Sequence, residues 1–170
     1  MVLVSEHISS LDHALMPDFA QLDDFDRAIL KVVQRDSSLT HEAIGAEVSL
    51  SASSVRRRLA ALRERGFILR EVTLLDGAES GVTLIVSLTL TEETPLAYEA
   101  LDTVFANEEP VKQSYHIAGS DDYILIVHEA SVDAYEKWSR RVLMSNAHIQ
   151  RFETRVALSR PKFDTSIAID

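Results

Sequence analysis

The sequence predicts an α+β chain of two units, three helices first and then strands and helices in the order β-α-β-β-α-β. Three observations carry that prediction. Apolar residues recur at helical spacing in three successive segments between Leu22 and Gly66. Alternation with the period of a half-buried strand begins at Val82. The chain has 170 residues, 46% of them hydrophobic, enough for one medium core or two small ones.

Each element has its own local signal. Residues 1–21 show no sustained period and Pro17 interrupts what there is, so a flexible extension is expected. Leu22, Phe25, Ile29, Leu30 and Val33 then form a helical stripe, with Asp23, Asp24 and Asp26 in the first turn, where carboxylates favour the helix dipole. Helix one ends near Asp36. Thr40 offers an N-cap for a short second helix, in which Ile44 and Val48 are an apolar i, i+4 pair and small Gly45 and Ala46 permit close approach of a neighbour. After a turn at Ser49-Leu50, Ser51 caps a third helix with the stripe Val55, Leu59 and Leu62, and Gly66 stops it. The run FILREVTLLDGAESG reads as an extended arm ending in turn residues.

The second unit opens with Val82, Leu84, Val86, Leu88 and Leu90 on one face of a strand. Thr94-Pro95 starts a helix with Tyr98, Leu101, Val104 and Phe105 on its apolar side, ending before Pro110. Strands VKQSYHIA and YILIVHE follow, joined by Gly119-Ser120-Asp121-Asp122. Ser131 caps a helix bearing Tyr135, Trp138 and Val142, and a final strand begins at Ile149. This order is the split βαβ or ferredoxin-like arrangement. It puts both helices on one face, and the other is expected to be apolar and covered by a second copy in a homodimer.

Charge is distributed unevenly. The net charge is -10, yet residues 51–70 carry six bases and one acid, against nine acids and three bases in residues 1–50 and seventeen acids and eight bases in residues 71–170. Stepping 100° per residue around helix three points Ser53 and Arg57 outward and places Ser54 and Arg56 on the flanks. Arg58 falls near the apolar edge, where its stem packs. Two helices, a short turn and a basic outer face on the second make a helix-turn-helix, whose recognition helix enters the DNA major groove. Arginine suits that role because its planar fork pairs with guanine O6 and N7 or with a phosphate. The candidate DNA contacts are Thr40, Ser51, Ser53, Ser54, Arg56, Arg57 and Arg58.

From Leu22 onward the sequence resembles the leucine-responsive and asparagine-responsive regulators, the Lrp/AsnC or feast/famine family. The resemblance rests on Leu50, Ser51, Val55, Arg58, Leu62, Gly66 and Ile68, on Leu22-Asp23 and Asp26, and on Gly119-Ser120-Asp121-Asp122-Tyr123 after His116-Ile117-Ala118. It implies a winged helix-turn-helix domain over residues 22–70, an arm over 71–81, and a ferredoxin-like effector-binding and dimerisation domain over 82–170. It further implies a sequence-specific transcriptional regulator of double-stranded DNA that forms homodimers and higher oligomers such as octamers. An amino-acid-type effector would bind between subunits, at Gly119, Ser120, Asp121, Asp122 and Thr154. Two residues depart from the family pattern: Ser49 where glycine is usual in the turn, and Ser120 where the first aspartate is usual.

Other classes have less behind them. With no cysteine, disulfides, thiolate nucleophiles and Cys-ligated metal sites are excluded. His41-Glu42 and His128-Glu129 lack a second histidine four residues after the first, so no metal and no cofactor are expected. No stretch approaches the roughly 20 apolar residues of a membrane span, and the expectation is a cytoplasmic protein with no membrane partner. Two alternatives stand beside the regulator: an enzyme of the same architecture that decarboxylates sirohaem, for which His116 is the candidate, and an effector-free architectural DNA-binding protein.

Overall fold

The computed structural model describes residues 19–74 and 80–169. The expected extension at 1–21 therefore lies outside them up to residue 18. The described residues fall into two compact units, 19–74 together with 162–169, and 80–161.

The helical unit holds α1 (Asp24–Arg35), α2 (His41–Val48) and α3 (Ala52–Glu64), preceded by a 3-10 turn at Phe19–Gln21. Each helix begins with a side-chain cap on a backbone N–H that has no partner inside the helix. Asp23 Oδ1 accepts from Asp26 N at 2.8 Å, Thr40 Oγ1 from Ala43 N at 3.2 Å, and Ser51 Oγ from Ser54 N at 3.2 Å. Leu22, Ile29, Leu30, Ile44, Val55, Leu59 and Leu62 form the core. The α1 stripe is rotated from its expected position: Val32 is buried, while Phe25 is 43% exposed and lies under the Arg58 guanidinium, 5.4 Å from ring centroid to Cζ.

Between α2 and α3, Ser49 takes φ 58° and ψ 42°, the left-handed conformation. It remains in place because the turn is closed by two donors, Ser49 N and Leu50 N, on Gly45 O. A Cβ on Gly45 would run into the Leu50 carbonyl oxygen, so Gly45 permits the close helix approach that the turn requires. After α3, Gly66 at φ 78° lets Phe67 N return to Leu62 O at 2.9 Å. Residues 67–74 form no strand, so the expected wing is not a paired hairpin among the described residues. A lone extended segment with no neighbouring strand has nothing to close its hydrogen bonds.

The second unit is a four-stranded sheet in the order β2-β3-β1-β4, built from β1 (Val82–Leu90), β2 (Val111–His116), β3 (Tyr123–Glu129) and β4 (Ile149–Val156), all neighbours antiparallel. Helices α4 (Pro95–Asn107) and α5 (Val132–Ser139) complete it, α5 running on into a π-helical turn at Arg140–Met144. Leu84, Val86 and Leu88 oppose Val127, Leu125 and Tyr123, and this face packs under Leu101, Phe105, Trp138 and Leu143 of the helices. The other face is only partly apolar. Ile85 opposite Ile126, and Tyr115 opposite Ile124, make its apolar half, whereas β4 contributes Arg151, Glu153 and Arg155. Period two predicts that alternation on β4, whose open-face positions are charged.

The sequence expectation ran the second domain to residue 170. The described residues 162–169 instead group with the helices, where Ile169 is 4% exposed within their core.

Candidate DNA interface and the sheet-unit turn

The helix-turn-helix presents the start of α3. Ser51 is the hub there, its Oγ bonding Ser54 Oγ at 2.9 Å and lying 3.1 Å from Ser53 Oγ. Ser53 is exposed and Ser54 half-buried. Thr40 caps α2, the first helix of the motif.

The adjacent arginines differ in their surroundings. Arg58 Nη1 donates to Asp23 Oδ2 and to Asp26 Oδ1, both at 2.7 Å, with its side chain only 25% exposed. The Asp26 and Asp23 carboxylates hold the Arg58 guanidinium above its ordinary range. Asp23 in turn is held below its ordinary value, first by the Asp26 backbone N–H and then by Arg58. Arg58, a candidate DNA contact whose stem the sequence places at the apolar edge, is thereby tied to the start of α1. Arg65 lies 3.8 Å from Asp26 and over the Phe67 ring at 4.7 Å, and Arg63 pairs with Glu71. That leaves Arg56, Arg57 and Arg70 as the bases of this segment that are exposed and have no acid partner among the described residues. Arg70 was absent from the sequence-derived set, although its signal was there: a base in an extended segment immediately after the recognition helix.

The residues proposed for an effector are not gathered at one point. Asp122 stitches its turn to β1, its Oδ2 accepting from Leu90 N at 2.6 Å and its N–H donating to Leu88 O at 2.9 Å. Asp121 faces Arg151 of β4 at 3.5 Å and accepts from Ser120 Oγ at 3.3 Å, while Gly119 has open space about it. Thr154 lies on the helix-covered face opposite Val86, its Oγ1 2.5 Å from the Tyr135 hydroxyl. The sheet thus separates Thr154 from the Asp121–Arg151 pair, which alternation puts on the open face. Two shallow depressions of about 410 and 260 Å³ lie elsewhere, against Glu108, Arg141 and His148 and against Asp102, Lys112 and His116. Neither includes the turn.

His116 has its Nε2 2.8 Å from Asp102 Oδ1, and the same oxygen accepts from the buried Tyr123 hydroxyl at 3.0 Å. Burial and this carboxylate push the Tyr123 phenol far above its ordinary value. His128 Nδ1 rests 3.1 Å from Thr83 Oγ1. Among the described residues no three His, Asp or Glu side chains are grouped to hold a metal, and no helix is long and apolar enough to cross a membrane.

Comparison with known proteins finds two matching domains, the second of which includes residues 162–167. Residues 22–63 match the AsnC-type helix-turn-helix domain, and residues 83–167 match the Lrp/AsnC ligand binding domain. An uncharacterised HTH-type transcriptional regulator of Sinorhizobium fredii is 32% identical over 159 residues, covering 92% of this chain and 94% of that protein. An AsnC family transcriptional regulator from Agrobacterium tumefaciens superposes with a TM-score of 0.78 at 28% identity, over 86% of this chain and 97% of that one. A transcriptional regulator of Neisseria meningitidis, solved in complex with L-Met, has the same fold with a TM-score of 0.79 at 24% identity, over 88% of this chain and 97% of that one.

Proposed function

Since this chain belongs to the Lrp/AsnC family of DNA-binding transcriptional regulators, we propose that α3 reads its operator through Arg57 and grips the groove wall through Arg56. The observation that carries this reading is the contrast within one triplet: Arg58 is held by two carboxylates, while Arg56 and Arg57 stand exposed with no acid partner among the described residues. An unpaired guanidinium has no intramolecular bond to give up on meeting a phosphate or a guanine edge. Ser51, Ser53 and Ser54 lie at the helix N-terminus, where hydroxyls and free N–H groups favour a phosphate. Arg70 joins them as a backbone contact. Gel-shift titration against DNA from the protein's own promoter region tests the reading, with retention that discriminates that DNA from a scrambled duplex as the expected result. Equal affinity for both would remove sequence reading by α3.

We further propose that an amino acid is the effector, bound at the open-face side of the turn. Support comes from charge: Asp121 can accept from an ammonium group and Arg151 can hold a carboxylate, which together fit a zwitterion. Asp122 and Thr154 serve the frame, through Leu90 and Tyr135. The L-Met complex of the Neisseria protein, which shares the fold, makes L-Met the first amino acid to titrate. Calorimetric titration with single amino acids, repeated on Arg151→Ala, decides it: binding unaffected by the substitution places the pocket elsewhere.

A homodimer through the apolar half of the open face, and higher assembly from it, completes the proposal, together with a cytoplasmic location beside the DNA. We assign no enzymatic activity. His116, offered for a tetrapyrrole reaction, has its ring 4.2 Å from that of Tyr123 and its Nε2 on Asp102, contacts that tie β2 to α4 at the surface.

A further inference from the structure

The helical unit is discontinuous in sequence. The chain leaves it after Leu74, builds the whole sheet unit, and returns at Lys162. Residues 162–169 dock on α1 in an ordered way. Gln34 grips the Ile167 backbone from both sides, its Oε1 accepting from Ile167 N at 2.8 Å and its Nε2 donating to Ile167 O at 3.3 Å. Asp164 Oδ1 closes the preceding turn, accepting from Ser166 N at 2.9 Å and Ser166 Oγ at 2.7 Å, and those bonds hold its carboxyl below the ordinary range. Ile169 then enters the core shared by Ile29, Ile44 and Leu62, becoming 4% exposed.

Burying an isoleucine side chain and pairing both backbone polar groups of a residue are two things that hold a segment of a few residues against a helix. Here they occur together. We propose that residues 162–169 are a latch belonging to the DNA-binding unit, docked through Gln34 and Ile169, so that α1 is held and DNA is bound at full strength only while the latch is seated.

The proposal rests on the DNA reading for its affinity arm only. Hydrogen exchange and operator binding are measured on the full chain and on Ile169→Asp, Gln34→Ala and Ile167→Ala. Ile169→Asp should speed exchange of the α1 amides by about tenfold or more and weaken operator binding by at least about the same factor, with the sheet amides unchanged. Gln34→Ala should act in the same direction but less. Ile167→Ala should change neither, because Gln34 holds its backbone and its side chain is 58% exposed. If Ile169→Asp unfolds the helices, a chain ending at Pro161 supplemented with a peptide of residues 160–169 should regain α1 protection. Unchanged α1 exchange in Ile169→Asp, faster exchange with unaltered operator affinity, or no recovery with the peptide would each overturn the latch. A wild-type chain that binds no DNA overturns the regulator reading instead, and the exchange measurement then decides alone whether the segment belongs to the helices.

Discussion

At the scale of single residues, Arg57 and Arg58 are adjacent in the chain and opposite in task, and two substitutions separate them. Arg57→Ala removes an exposed side chain with no acid partner among the described residues, so thermal stability should be unchanged. Its effect falls on DNA, about 1–3 kcal/mol of discrimination between operator and mismatched sites in a gel-shift series. Arg58→Ala leaves Asp26, with a side chain 10% exposed, without its closest cation. That should destabilise the helical unit by about 2 kcal/mol in chemical denaturation, since a half-broken partly buried pair leaves an uncompensated charge. DNA affinity would then fall uniformly across sequences rather than selectively. The same cluster sets a pH dependence. Asp23 is held below its ordinary 3.8, so its contribution to stability is fully present above that pH and is lost as pH falls through the folded value. Because the Asp26 N–H is the larger cause, Arg58→Ala should keep most of this acid sensitivity while Asp23→Ala abolishes it, as followed by NMR of α1 amides between about pH 5 and 2.

At the scale of elements, the turn between α2 and α3 offers two opposed substitutions. Ser49 pays the left-handed penalty of about 1–2 kcal/mol, partly offset because glycine would loosen the unfolded chain by about 0.4–1 kcal/mol. Ser49→Gly should therefore raise stability by about 0.5 kcal/mol with no change in fold. Gly45→Ala improves helix propensity by about 1 kcal/mol but drives a methyl into the Leu50 carbonyl, so a net loss of about 1–3 kcal/mol is expected, measured by thermal melting. Local chemistry of this kind was legible in the sequence. Thr40, Ser51, Thr94 and Ser131 are identifiable as helix starts because a cap acts over three residues, and each caps in the structure, while Asp23, read as a first-turn carboxylate, proves to be the N-cap of α1. What escaped depends on partners distant in sequence. Asp23 and Asp26 read as dipole-favouring carboxylates, and nothing local tells that Arg58, more than thirty residues later, claims both. The same holds for Thr154 turned toward Tyr135, for Arg151 beside Asp121, and for Ile169 returning to the first unit.

At the scale of the whole molecule, the acidic balance and the basic recognition helix work together. Residues outside 51–70 carry a net negative charge, which repels a polyanion, while α3 presents Arg56 and Arg57 to it. Non-specific attachment should be weak, because little of the surface can replace the counterions of the duplex. Specific attachment should still be strongly salt-dependent, because each phosphate held by an arginine releases condensed cations, about 0.9 in the slope of log K against log salt per contact. If Arg56 holds one phosphate in each half of the proposed dimer, Arg56→Ala should reduce that slope by about 2 for a palindromic site, with the order of preference among sites kept. Arg57→Ala should reorder the sites and alter the slope less. Anisotropy titrations from about 50 to 200 mM salt on both variants would measure the two effects side by side. A slope that Arg56→Ala leaves unaltered would move the phosphate contact to Arg70 or to the serines that open α3, and identical responses of the two variants would remove the division of labour within the triplet.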